Sequence, residues 1–298
     1  MTPIQPHILD AHHHIWDPDR RLYAWLDSAP PILRRRFDLD DFAAATAGLG
    51  VEATVLVQAL GQLDETDELL ETAADHPLVA GVVGWVDLTA FDIEETIARL
   101  REHPGGSALV GVRHLVQDEP DDAWLARPEV HRGLKAVSRA GLSYDLLVLP
   151  RQLPAAIAAV DAVDNLRFVL DHGAKPPIGS GEFEPWSTLI GELSEREHVW
   201  CKLSGITSEA GRDWSVDQVV PYGTRILDAF SPQRVMFGSD WPVCEAFATY
   251  GEVLRAARAC LNGLSNDESR AVFGANAARF YRLPWGPDGH APAEFEVH

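Results

Sequence analysis

With 298 residues, 46% hydrophobic and 23% charged side chains, the chain has the composition of a soluble globular protein with material for a large core. Its net charge of −20 argues against partners with a phosphate backbone or an anionic lipid surface, so neither nucleic acid nor membrane is expected. No apolar run approaches the ~18 residues that span a bilayer, and no basic, apolar leader opens the chain. Cys201, Cys244 and Cys260 are odd in number and unspaced for zinc, which points to a reducing, cytoplasmic setting.

Short apolar or β-branched runs alternate with amphipathic stretches along the whole chain, without internal repeats or low-complexity linkers. Strands are expected over residues 8–14, 53–58, 79–86, 109–114, 142–148, 167–172, 199–204 and 234–240. Helices are expected over 38–49 (closed by Gly50), 64–75, 92–103, 128–140 (closed by Gly141), 152–163, 185–197, 216–230 and 247–261. A last segment opens on Ser265, whose spacing to Glu268 is that of a capping box. This alternation predicts a single-domain α/β protein, a (β/α)8 TIM barrel over residues 1–283, with 284–298 as an extended C-terminal tail. No Gly-x-Gly-x-x-Gly turn follows the first strand, so no nucleotide cofactor is expected. The long connections 17–36 and 117–127 would leave strand C-termini, the active-site face of a barrel, as binding loops or lids.

Period two decides which strand residues share a face. His12 and His14 fall together, with His13 opposite. Phe168, Leu170 and His172 fall together, leaving Asp171 on the other face, and Met236, Gly238 and Asp240 fall together. His12, His14, His172 and Asp240 are therefore expected to converge at the barrel mouth, a ligand set suited to Zn²⁺ or a related divalent ion with a position left for water. Arg113 and His114 are adjacent, so only one can face inward, and Arg113 is expected to. Trp16, Trp241 and Tyr144 offer flat faces to a substrate, with Trp25 left open, while Gln58, Asp145 and Lys175 offer polar contacts.

Several of these stretches resemble a known family. His12 and His14, the run Leu170-Asp171-His172-Gly173-Ala174-Lys175-Pro176 and Gly238-Ser239-Asp240-Trp241-Pro242 are similar to the amidohydrolase superfamily, metal-dependent hydrolase family 2. Gly111-Val112-Arg113-His114, Cys201-Lys202-Leu203-Ser204-Gly205 and Asn276-Ala277-Ala278-Arg279-Phe280-Tyr281 narrow the resemblance to sugar-lactone hydrolases of the L-fuconolactonase type, with 2-pyrone-4,6-dicarboxylate lactonases more distant. The resemblance, from about residue 8 to 283, implies hydrolysis of a sugar (aldono)lactone to its free acid, in carbohydrate metabolism. Asp240 would then orient and deprotonate a water, and His172 would help polarise the carbonyl. His14, Trp16, Arg113, Tyr144, Lys175, Lys202 and Trp241 would hold the lactone, and His12, His14, His172 and Asp240 would hold any metal. Binuclear members carry a bridging lysine at the end of strand four and a histidine at strand five. Here those strands end Val112-Arg113-His114 and read Ser143-Tyr144-Asp145-Leu146, so at most one ion is expected, and a metal-free reaction stays open. A metal-dependent decarboxylase or dicarboxylate lactonase on the same barrel also stays open, although Arg113 is the main candidate carboxylate clamp. A sugar-binding barrel without chemistry is disfavoured by the intact His12, His14 and Asp240. Both a monomer and a homo-oligomer fit.

Overall fold

In the computed structural model, which describes residues 7–286, eight strands pair in parallel and in sequence order. They are β1 (Ile8–His13), β2 (Val51–Val57), β3 (Val79–Gly84), β4 (Leu109–His114), β5 (Ser143–Leu146), β6 (Arg167–Leu170), β7 (Val199–Leu203) and β8 (Val235–Phe237). Beyond β8 the backbone closes the ring: the Asp240 N–H donates to the His12 carbonyl at 2.8 Å and the His14 N–H to the Trp241 carbonyl at 2.7 Å. The expected (β/α)8 barrel is the observed fold.

The helices are α1 (Leu39–Thr46), α2 (Leu63–Asp75), α3 (Ile93–Glu102), α4 (Pro128–Arg139), α5 (Leu153–Ala162), α6 (Trp186–Ser194), α7 (Ile206–Ala210), α8 (Val216–Phe230), α9 (Tyr250–Cys260), α10 (Asn266–Arg270) and α11 (Asn276–Tyr281). Their starts are written in side-chain chemistry. Asp38, Ser215, Thr249 and Ser265 each cap a helix reciprocally with Asp41, Gln218, Glu252 and Glu268, satisfying N–H groups the first turn cannot pair. The Thr249–Glu252 box is why α9 begins at Tyr250 rather than at the expected 247. Helix α7, a single turn entered through Gly205, is too short to leave a periodic signature and was not expected. Among the described residues, no helix is long and apolar enough to cross a membrane.

The barrel interior is layered. Leu9, Ala11, Ala53, Val55, Val57, Val83, Val169 and Met236, from five strands, form one apolar cluster with Ala277, Phe280 and Tyr281 of α11, which plugs the N-terminal mouth. The Arg167 guanidinium, at the start of β6, ties that plug down through the Phe280 carbonyl at 2.7 Å. Phe168 and Leu170 belong instead to the larger cluster between strands and helices. Residues 284–286 lie against the barrel, with the Trp285 ring over Gly274, and the rest of the expected tail lies outside the described residues.

Candidate active site

At the C-terminal mouth, β1 carries one residue more than its partner between Asp10, opposite Thr54, and His13, opposite Leu56. This bulge lets Ala11 and His12 both turn inward, then restores alternation so that His14 joins them. His13 points outward, its Nε2 2.9 Å from Thr54 Oγ1 and its ring on Phe42. Asp10 locks the arrangement, accepting from the His12 N–H, the Ser239 N–H and the Tyr250 hydroxyl. Gly238 is needed here because a Cβ would sit 2.7 Å from that of His12.

The sixth strand corrects the period-two expectation. Val169 and Asp171 face the interior, not Phe168 and Leu170. His172 still reaches the centre because the chain leaves strand geometry after Leu170, and residues 172–175 all hold left-handed φ between 52° and 62°. Asp240 is likewise left-handed, at φ 58°. Non-glycine residues in this region cost on the order of 1–3 kcal/mol each, so the fold spends stability to aim these two side chains. Gly205 makes room for the His172 ring, since a Cβ there would lie 2.9 Å from Nδ1.

His12, His14 and Asp240 bring three donor atoms together, and His172 stands beside them in a second group with His12 and Asp171. Asp240 Oδ1 lies 3.7 Å from His12 Nε2, 3.6 Å from His14 Nε2 and 3.8 Å from His172 Nε2, and the His12 and His14 Nε2 atoms are 3.1 Å apart. Each opposite ring nitrogen has its own partner. His14 Nδ1 donates to the Val57 carbonyl at 2.7 Å, His172 Nδ1 meets Ser204 Oγ at 2.8 Å, and His12 Nδ1 lies 3.4 Å from Asp171 Oδ1. Burial pushes the His172 imidazole down to about 4 and lowers His12 and His14 as well, so all three are neutral at pH 7. Burial would raise the Asp240 carboxyl, but the attraction between its negative charge and a proton on His172, His14 or His12 outweighs it. The carboxyl is therefore held well below the usual range, and the rings take a proton before Asp240 does.

Beneath this cluster lies a buried charged layer. The Lys202 ammonium donates to Asp145 Oδ2 at 2.6 Å and sits 3.0 Å from Asp171 Oδ1 and 3.1 Å from His12 Nδ1. Arg113 donates to Asp171 Oδ2 at 3.0 Å, and the Tyr281 hydroxyl donates to Asp145 Oδ2 at 2.7 Å. Burial opposes the Asp171 charge, yet Lys202, His12 and Arg113 hold its carboxyl well below the usual range. Two cations against Asp145, Asp171 and Asp240 leave one net negative charge, held by the carboxylate that faces the cavity.

A cavity of about 220 Å³ opens above Asp240. His14, Trp16, Arg113, His172, Lys175 and Asp240 line it, whereas Tyr144, Lys202 and Trp241 do not. Tyr144 faces the outer side of β5 against Phe168, because its neighbour Asp145 takes the inward position. Trp241 is packed between Phe37 and Phe42. Gln58 does not line the cavity; its Nε2 donates to the Arg113 carbonyl at 3.1 Å, and its Oε1 is buried without a partner in the protein. Arg113 is the inward member of its pair, while His114 stacks on Trp124 at 4.2 Å. Sequence reasoning passed over Asp171, which it turned outward, and Tyr281, Gln117 and Glu209. The Glu209 carboxylate stands 3.9 Å from the Lys175 ammonium.

The donor set suits one divalent ion. A tetrahedron with ~2.0–2.1 Å bonds has edges of about 3.3 Å, and His12, His14 and Asp240, with donor atoms 3.1, 3.6 and 3.7 Å apart, match three of its corners. The ligating form of the imidazoles is the one burial already favours, and partners behind the rings orient them as metal-binding histidines are oriented. His14 is protonated at Nδ1, so its Nε2 lone pair faces the cluster ready for a cation.

A parallel (β/α)8 barrel with a His-x-His on strand one and an aspartate after strand eight defines a class of hydrolase-like barrels. The amidohydrolase family model matches residues 9–283, and the chain belongs to that family. It is 39% identical to an L-fucono-1,5-lactonase of Burkholderia ambifaria, over 95% of this chain and 98% of that one. It is 37% identical to an L-fucono-1,5-lactonase of Burkholderia multivorans, over 93% of this chain and 96% of that one. A crystal structure of a Burkholderia multivorans amidohydrolase with bound zinc superposes with a TM-score of 0.85 at 37% identity, covering 93% of this chain and 99% of that chain.

Proposed function

We propose that the protein is a lactonase that opens a six-membered sugar lactone to its aldonic acid, and that Asp240 is its base. The observation that carries this reading is the convergence of His12, His14, His172 and an ionised Asp240 beneath one cavity. The two relatives named as L-fucono-1,5-lactonases support a deoxy-hexonic 1,5-lactone as substrate.

With the lactone carbonyl over the imidazole cluster, Asp240 takes a proton from the attacking water as its oxygen bonds to the carbonyl carbon. When the ring C–O bond breaks, Asp240 returns that proton to the departing oxygen, leaving a hydroxy acid. His12, His14, His172 and Asp240 would hold a divalent ion, zinc by donor chemistry, which supplies Lewis-acid polarisation and a lowered water pKa. Arg113, whose Nε–H has no partner in the protein, adds positive charge for the developing oxyanion. Asp171 and Lys202 fix the rings and guanidinium from below.

A neutral substrate fits the charge inventory. Arg113 is paired with Asp171, Lys202 with two carboxylates and Lys175 with Glu209, so each cation near the cavity is already balanced, which favours a neutral substrate over the carboxylates of a decarboxylase or dicarboxylate lactonase. The three buried, unpaired cysteines support a cytoplasmic setting.

A pH-indicator screen of aldonolactones, run with and without prior chelation, tests the proposal. Acid release from a six-carbon 1,5-lactone, slowed by chelation and restored by zinc, is the expected outcome. No acid release from any lactone would refute it.

A further inference from the structure

We infer that Trp25 and Gln117 read the hydroxyl pattern of the substrate, as a donor and an acceptor held ready on the cavity wall. The inference rests on the lactonase reading and assigns to it residues outside the reacting cluster.

Ala59, Leu115, Leu147 and Val243 give the cavity apolar patches between its polar side chains, among them Asp118. Most of those are already engaged. The Trp16 indole N–H donates to the carbonyls of Leu33 and Arg35 at 3.1 and 2.9 Å, so this tryptophan is tied into its own loop. Lys175 faces Glu209, and Arg113 is held by Asp171 and the Gln58 carbonyl. Three cavity-lining residues keep a buried polar atom without a partner in the protein, Arg113 Nε, Trp25 Nε1 and Gln117 Oε1; the first belongs to the reacting cluster, and the other two stand outside it.

A buried polar atom left alone is costly, and folded proteins rarely keep one without a reason. Two such atoms, from two separate loops at one cavity, point to a partner that arrives with the ligand. The pair is an indole that can only donate and an amide oxygen that accepts. A hydroxyl satisfies both roles, a carboxylate only the first, and a bare methylene neither. Neutral, hydroxyl-bearing rings are therefore the chemistry selected.

Both residues are held in place in advance. Trp25 sits in a short turn (Ala24–Asp27) braced by Arg34, which donates to the Asp27 and Ala29 carbonyls, and it packs edge-on against Trp16 with centroids 5.0 Å apart. Gln117 follows Val116, whose carbonyl accepts from Gln152 Nε2 at 2.7 Å, and its own N–H donates to the Leu147 carbonyl at 3.1 Å. Such preorganisation lowers the ordering cost of binding.

The test compares L-fucono-1,5-lactone with δ-valerolactone, the same ring without hydroxyls, in wild type, Trp25→Phe and Gln117→Leu. The readout is the ratio of kcat/KM for the hydroxylated lactone to that for the bare one, which does not depend on the fraction of protein that is active. Each variant is expected to lower that ratio tenfold or more, chiefly through KM on the hydroxylated substrate. A ratio unchanged from wild type in both variants overturns the inference. A wild-type ratio near one also overturns it while the lactonase reading stands. Opening of neither lactone by wild type removes the lactonase reading, and this inference with it.

Discussion

The two halves of the barrel interior are built on opposite principles. The lower half is aliphatic and sealed by α11, with Val55, Val83, Val169 and Met236 meeting across strands. Each such side chain contributes about 1.5–3 kcal/mol by leaving water. The upper half buries Lys202, Arg113, Asp145, Asp171 and three imidazoles, and it holds His172 and Asp240 in strained backbone. Ion pairs taken out of water offset their desolvation only when every partner is present. The upper half is therefore maintained at a cost to stability, and the Tyr281 hydroxyl, reaching from the plug to Asp145, is where the two halves meet.

This contrast can be broken from either side. Lys202→Met removes the cation between two buried carboxylates and should destabilise the protein by about 3–5 kcal/mol, read from the denaturant midpoint. A loss under 1 kcal/mol would mean the charged layer is not held together as described. Val169→Ala in the lower half should cost about 1–3 kcal/mol and leave kcat per folded molecule within twofold, because the cavity it creates lies below the charged layer. Acid sharpens the comparison further. Burial pushes the His13 imidazole down to about 3, against an ordinary value near 6.5, so the unfolded chain takes up the proton first. The His13 contribution is complete above pH 6.5 and is lost as pH falls from there toward 3. His13→Gln should therefore flatten the decline of stability below pH 6.5 by up to about 1.4 kcal/mol per pH unit in denaturation series. An unchanged slope would show that His13 is not a buried neutral ring.

How much of this was legible in the sequence follows the same division. Hydrophobic period and cap chemistry located all eight strands, eight of the helices and the Ser265 box, because regular elements obey period rules. Those rules failed where the site departs from regular backbone. Asp171 was turned outward because period two was counted through His172, whereas β6 stops at Leu170 and a left-handed turn carries the next residues inward. Tyr144 was read as facing the site, but β5 gives that position to Asp145. His12 and His14 were paired correctly although a bulge, invisible in sequence, is what lets Ala11 and His12 share a side. Trp16 was favoured over Trp25 for its place beside the motif, and only hydrogen-bond partners distinguish an indole already engaged from one that is free.

The account centres on Asp240 as the group that moves the proton. The most direct test is the initial rate of acid release from L-fucono-1,5-lactone by wild type and Asp240→Asn, with melting curves recorded alongside. Asparagine tolerates the left-handed backbone at this position, so the fold should persist while turnover falls by about 10²–10⁴-fold. An Asp240→Asn protein that is folded and keeps most of its turnover would contradict the account.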